Sequence, residues 1–171
     1  MKKVKVAFHA KSIYDVSTSF FKSLGIKAVV TDLDNTLDTY DVSTPGKEAF
    51  ELKDRLQKAG IALIVVSNNT ENRVRPYCEK LGVDYLHDAR KYFKARIAQF
   101  LKKEGYEVKD CLFVGDQLFT DRIYVSKLKG RLLLTEPLSS KDQFFTRFVR
   151  RYDIRIRKKW LRQGRLGQSA E

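Results

Sequence analysis

Four short runs of the chain are rich in apolar residues and end in polar ones: "IKAVVTD" at 26–32, "IALIVVS" at 61–67, "CLFVGD" at 111–116 and "RLLLTE" at 131–136. A strand with one wet face alternates apolar and polar residues, so runs like these read as strands covered on both faces, the condition of a parallel sheet. Between them lie segments of helical period. "GKEAFELKDRLQKAG" begins after Ser43 or Thr44 and Pro45 and runs to Gly60, a helix start and a C-terminal cap. "NTENRVRPYCEKLG" follows, with Pro76 predicted to kink or end it. "VDYLHDA" is a weaker strand, "KYFKARIAQFLKKEG" an amphipathic helix and "TDRIYVSKLKG" a short one. An amphipathic segment, "SIYDVSTSFFKSLG", precedes the first strand. This alternation predicts an α/β fold of Rossmann-like type, mainly parallel, with helices on both faces and ligands bound outside the carboxyl ends of the strands.

Those carboxyl ends carry the chemistry. The first of these strands ends at Asp32, followed by Asp34 and Thr36, whose spacing of two sets them on one side. The second strand ends in Ser67, Asn68 and Asn69, and the third in Gly115 and Asp116 with Asp121 just beyond. In one parallel sheet these three clusters meet at one edge. Carboxylates crowded together repel, and each would be driven toward its neutral form unless a cation were shared among them. Oxygen donors select a hard ion, so Asp32, Asp34, Asp116 and Asp121 are predicted to form a Mg²⁺ site.

The order of these clusters resembles that of the haloacid-dehalogenase-like (HAD) phosphohydrolases. The resemblance implies a phosphatase in which Asp32 is the nucleophile that forms an aspartyl-phosphate and Asp34 the general acid and base. It implies that Thr36, Ser67 and Asn68 contact the substrate phosphate, that Asp116 binds the metal and that Asp121 orients the metal's surroundings. Lys91, at the exit of the weak strand, takes the place of the superfamily's phosphate-binding lysine. A closer resemblance, in "KSIYDV", "GIKAVVTDLDNTL", "VVSNNTENRV", "ARK", "VGDQLFTD" and "FFTRFVRR", is to the YqeG family, HAD subfamily IIIA phosphatases related to phosphatidylglycerophosphate phosphatases. It implies an anionic phospholipid, phosphatidylglycerophosphate, as substrate.

The stretches between Asp34 and Ser67 and between Ser67 and Lys91 are filled by the predicted elements, which leaves no room for a cap domain. The expected organisation is a phosphatase domain over 1–140 and a basic, helical extension over 141–171 packed on it. Lys and Arg number 34 against 21 Asp and Glu, a formal charge of +13, and residues 141–165 hold ten of those cations against two Asp. Phe145, Phe148, Val149, Tyr152, Ile156 and Trp160 recur there at helical spacing. The segment suits peripheral attachment to anionic lipid or packing on the core, and its "DIRIRKK" also alternates like a short strand. Arginine among aromatics suits RNA too, but no RNA-binding motif accompanies it, and a pure binding module would have no use for the five strand-end residues Asp32, Asp34, Ser67, Asp116 and Asp121. No run approaches the roughly 18 apolar residues of a membrane span, and the N-terminus has no signal-like apolar core. The expectation is a cytoplasmic chain that works at the inner face of the membrane if it binds lipid. Cys78 and Cys111 are read as structural thiols, and neither His9 nor His87 is given a catalytic role.

Overall fold

The continuous apolar runs resolve into two alternating sets. In a computed structural model, which describes residues 6–139 and 144–170, Val29, Leu63, Val65, Leu112, Val114 and Leu133 pack on one side of the sheet. Ala28, Val30, Ile64, Val66, Phe113, Leu132 and Leu134 pack on the other. Both faces are dry, so the residues alternate between two cores rather than between core and water.

The sheet is built from β1 (Val6–Ala10), β2 (Ala28–Thr31), β3 (Ala62–Val66), β4 (Asp84–Leu86), β5 (Cys111–Gly115), β6 (Arg131–Thr135) and β7 (Leu166–Ser169). Their order is β4-β3-β2-β5-β6-β1-β7 and every pairing is parallel. The helices are α1 (Thr18–Ser23), α2 (Lys47–Lys58), α3 (Glu71–Leu81), α4 (Lys94–Lys103), α5 (Asp121–Leu128) and α6 (Phe144–Arg162). The apolar residues of α1, α2 and α3, among them Phe21, Leu52, Leu56, Val74 and Tyr77, cover one face. Ile97 and Leu101 of α4, Tyr124 and Val125 of α5, and Ile156 and Trp160 of α6 cover the other.

Three local expectations are revised. Helix α2 starts at Lys47 with Gly46 as its N-cap, later than Ser43 or Thr44. Helix α3 runs through Pro76 without ending. Its buried face of Val74, Tyr77, Cys78 and Leu81 outweighs the one hydrogen bond that proline removes. "DIRIRKK" is helical within α6, because Ile156 and Trp160 at i, i+4 reach the core. Phe145, Phe148, Val149 and Tyr152 lie outside the residues whose side chains are described.

Two strands carry little signal in the sequence. β1 begins in a lysine-rich stretch, and β7, "LGQS", has neither β-branched nor aromatic residues. β7 exists because it pairs with β1, and a Cβ at Gly167 would overlap the Ala7 carbonyl, so glycine permits the close approach. His9 accordingly has a structural role, with Nδ1 3.1 Å from the Gly167 carbonyl. Cys78 and Cys111 are free, buried thiols. Among the described residues no helix is long and apolar enough to cross a membrane.

From β2 the chain moves outward through β3 to β4, then returns to the other side of β2 as β5. The strand order therefore reverses between β2 and β5, and the crevice at their carboxyl ends is where an open α/β sheet binds ligands. Asp32 follows β2 directly and Asp116 follows β5 directly.

Candidate active site

Asp32 continues the ladder beyond β2, its N–H donating to the Val114 carbonyl at 3.0 Å. The backbone then breaks into a turn. Asn35 takes φ +64°, a conformation asparagine tolerates, and the Leu37 and Asp38 N–H groups return to the Leu33 carbonyl at 2.9 and 3.1 Å. This turn buries Thr36, whose hydroxyl oxygen has no hydrogen-bond partner in the structure.

Lys91 lies at the centre. It is 1% exposed, and its ammonium sits 2.9 Å from Asp32 Oδ2 and 2.9 Å from Asp121 Oδ1, over the Tyr124 ring. Burial alone would lower its pKa, but the Asp121 and Asp32 carboxylates outweigh burial and hold the ammonium charged. The approach to Lys91 is set by left-handed Asp88 and Arg90, and by Asn68, whose side-chain oxygen accepts the Lys91 N–H at 2.9 Å. Asn68 thus reaches the site through the backbone of Lys91.

Asp121 is fully buried at the start of α5, where its Oδ2 accepts the Gln117 N–H at 2.9 Å. Gly115 makes room for it. A Cβ there would collide with the Asp121 carboxylate and lie 2.8 Å from its Cβ. Carboxylate oxygens of Asp32, Asp116 and Asp121 come within 4.8 Å of one another and form a group able to hold a metal ion. Burial pushes the Asp32 carboxyl up to about 6; Lys91 opposes this, while Asp121 and Asp34 add to it. Three clustered carboxylates, two of them sharing one ammonium, leave an excess of negative charge on hard oxygen donors, which fits a divalent cation.

The Asp34 carboxylate stands apart from that group. Arg73 donates to its Oδ1 from Nη2 at 2.8 Å and Nε at 3.2 Å, and Asn69 donates to Oδ2 at 2.5 Å. Ser67 Oγ accepts the Asn69 N–H at 3.1 Å and helps to set that side chain. Arg73, in the first turn of α3, is a site residue that motif reading passed over. Its signal was positional, since a residue four beyond Asn69 at a helix start returns to the strand's carboxyl edge.

Two more residues escaped the sequence reading. Asp153 and Arg157 of α6 reach the loop that carries Asp116. Asp153 Oδ1 accepts the Leu118 N–H at 3.1 Å, and Arg157 donates to the Asp153 carboxylate, to the Thr135 carbonyl at 2.7 Å and to the Asp116 carbonyl.

Comparison with known proteins matches residues 3–139 to the family described as mitochondrial PGP phosphatase. The chain is 31% identical over 156 residues to the Bacillus subtilis protein named "Probable phosphatase YqeG", covering 91% of each. It is 27% identical over 164 residues to phosphatidylglycerophosphate phosphatase 1, chloroplastic/mitochondrial, of Arabidopsis thaliana, covering 90% of this chain and 47% of the plant protein. Among solved structures, the cobalt-bound deoxy-D-mannose-octulosonate 8-phosphate phosphatase of Haemophilus influenzae superposes with a TM-score of 0.51 at 17% identity, over 68% of this chain and 81% of that one. A proposed 3-deoxy-D-manno-octulosonate 8-phosphate phosphatase of Vibrio cholerae superposes with a TM-score of 0.55 at 15% identity, over 83% and 80%. At such identities the structural likeness concerns the fold.

Proposed function

The chain belongs to the family described as mitochondrial PGP phosphatase and is a HAD-type phosphoric monoester hydrolase, and from that premise we propose that it dephosphorylates phosphatidylglycerophosphate through an aspartyl-phosphate on Asp32, with Mg²⁺ as cofactor. The observation that carries this reading is the Lys91 ammonium held between Asp32 and Asp121 at the switch point of the sheet.

In this reading an Asp32 carboxylate oxygen attacks phosphorus in line with the leaving alkoxide. The P–O bond of the ester breaks as the P–O bond to Asp32 forms, and the alkoxide takes a proton from the Asp34 carboxyl. Asp34, now ionised, accepts a proton from the water that attacks the phosphoryl group, and Asp32 is regenerated with release of phosphate. For its first step Asp34 must carry a proton, so one of its oxygens has to leave Arg73 or Asn69 when substrate arrives. Lys91 neutralises the phosphoryl oxygens, the buried Thr36 hydroxyl and Ser67 complete the phosphate contacts, and Asn68 serves them by holding the Lys91 backbone. Asp32, Asp116 and Asp121 would hold Mg²⁺, which supplies further neutralisation of phosphoryl charge.

The lipid part of the proposal has separate support. Between Asp34 and Ser67 the chain forms only a flap, α2 and β3, in line with an uncapped site. Of the large apolar side chains exposed among the described residues, Tyr40, Tyr92, Phe93, Phe119 and Leu138 all lie on loops at the strands' carboxyl ends, and Phe93 is 69% exposed. An apolar rim around a phosphatase mouth suits a phosphate carried at a bilayer surface. On α6, Ile154, Arg155, Lys158, Lys159 and Leu161 are exposed, a combination that suits peripheral contact with anionic lipid at the membrane's inner face.

The test is phosphate release from phosphatidylglycerophosphate in mixed micelles, with and without Mg²⁺, beside a panel of soluble phosphomonoesters. Metal-dependent release from the lipid, abolished in a folded Asp32→Asn variant, is the expected result. Activity confined to soluble esters would discard the lipid substrate and keep the chemistry. Turnover retained in Asp32→Asn would remove Asp32 from its role.

A further inference from the structure

The family match ends at residue 139, yet the loop that bears Asp116 is tied down from beyond it. Consider the main-chain polar groups of that loop in order. The Asp116 carbonyl accepts from Arg157, the Gln117 N–H donates to the Asp121 carboxylate, and the Leu118 N–H donates to Asp153. The Gln117 carbonyl in turn accepts the Asp121 N–H at 2.8 Å. Two of these four ties come from α6. Arg157 spans further, because its guanidinium also reaches the Thr135 carbonyl at the end of β6 and so links the carboxyl ends of two neighbouring strands.

Neither residue serves the exposed side of the helix. Asp153 is 6% exposed, and the two side chains form an i, i+4 ion pair in which Arg157 keeps only 14% of its side-chain surface. The planar fork of arginine is needed here. It serves a carboxylate and two carbonyls from fixed directions at once, which a lysine ammonium on a flexible stem does not reproduce. Retaining a buried ion pair in the most basic part of the chain is costly unless it holds something in place. What it holds is the backbone on either side of Gln117, between Asp116 and Asp121.

We infer that Asp153 and Arg157 are positioning residues for the metal-binding carboxylates, so that α6 completes the active site from outside the family-matched region. The inference rests on the reading of Asp32, Asp116 and Asp121 as a metal site. Groups that orient metal ligands typically change metal affinity by about 10- to 100-fold when removed.

The experiment titrates the metal-stripped, full-length protein with Mn²⁺, reading free ion by electron paramagnetic resonance in the absence of substrate. Arg157→Ala is expected to weaken Mn²⁺ binding about tenfold or more. It should raise the Mg²⁺ concentration for half-maximal phosphatase activity in parallel, and Arg157→Lys should recover part of both. Two variants on the same helix serve as references. Arg155→Ala changes an exposed side chain, and Trp160→Ala loosens packing against the core; both should keep wild-type Mn²⁺ affinity, the second despite a lower melting temperature. Folded Arg157→Ala protein with unchanged Mn²⁺ affinity would overturn the inference, as would an equal loss in Trp160→Ala. Should Arg157→Ala not fold, unchanged affinity in both Arg157→Lys and Asp153→Asn would overturn it equally. Failure of the wild-type protein to bind Mn²⁺ overturns the metal reading itself, and is seen before any variant is made.

Discussion

Replacing Gly115 by alanine adds one methyl group at the most crowded point of the site. The new Cβ would fall against the Asp121 carboxylate and 2.8 Å from the Asp121 Cβ, well inside normal contact. Gly115 ends β5, paired with Leu134 of β6, and Asp121 opens α5, so neither backbone can yield without disturbing the sheet or the helix start. The side chain must therefore rotate, and it cannot rotate and keep its bonds to Lys91 and the Gln117 N–H. Overpacking costs about 1–3 kcal/mol, and each buried hydrogen bond to a charged group contributes about 1.5–3 kcal/mol. A loss of both bonds with some residual strain comes to roughly 4 kcal/mol or more. For a chain of this length that lowers the melting temperature by roughly 10 °C. Turnover should fall more than stability suggests, by about 10²- to 10³-fold, because Lys91 loses one of the two carboxylates that aim it. Thermal unfolding followed by circular dichroism, with phosphate release measured at a temperature where the variant is folded, reads both effects. Gly46→Ala is the reference, since nothing lies within 4 Å of a Cβ built there, and it should cost about 1 kcal/mol or less as a change of helix N-cap. A Gly115→Ala protein that melts within ~2 °C of wild type and keeps its activity would refute the reasoning.

Lys91→Met keeps most of the side-chain volume and removes the charge that Asp32 and Asp121 share. Breaking such a buried pair costs about 3–5 kcal/mol, and turnover should drop at least 100-fold (about 2.7 kcal/mol); retention of a tenth of wild-type activity would exclude Lys91 from phosphate neutralisation. Mg²⁺ at about 100 times its dissociation constant should stabilise the protein by ~2.7 kcal/mol, raising the melting temperature by roughly 5–10 °C. Chelation should reverse the shift and Asp116→Asn should abolish it, as differential scanning calorimetry would show. An undiminished shift in that variant would remove Asp116 from the ligand set.

Much of the architecture was legible because burial on both faces leaves a local imprint. "IALIVV" and "CLFVG" are short, rich in β-branched and aromatic residues and bounded by polar or glycine positions, which marks them as strands between two cores, and the helices between them repeat at their own period, so the parallel sheet follows without reference to any distant contact. The clustering of Asp32, Ser67 and Asp116 at one edge follows as well, since all strands of a parallel sheet end on the same side. β1 and β7 were not legible, for the converse reason: β1 is a five-residue strand behind a lysine-rich stretch, β7 has no β-branched or aromatic residue, and the two pair with each other at the sheet's far edge.

Within the site the division is sharper. Sequence determines which side chains end strands. Which of them face one another depends on the reversal of strand order between β2 and β5 and on where each crossover helix begins, and these are properties of the assembled sheet. Position along the chain marked Lys91 out among 34 cations, but its burial as a bridge between Asp32 and Asp121 is made by the crossing of α5 behind it. Asp34 stood in one motif with Asp32, but its neighbours turned out to be Arg73 and Asn69. Residues 141–165 read as a basic amphipathic helix with its charges on the outer faces, and tertiary structure gave Asp153 and Arg157 to the interior while leaving Arg155, Lys158 and Lys159 to solvent. Periodicity is a local record of burial, whereas an ion pair between residues 30 or more positions apart is decided by how the chain returns, so the second needed the structure and the first did not.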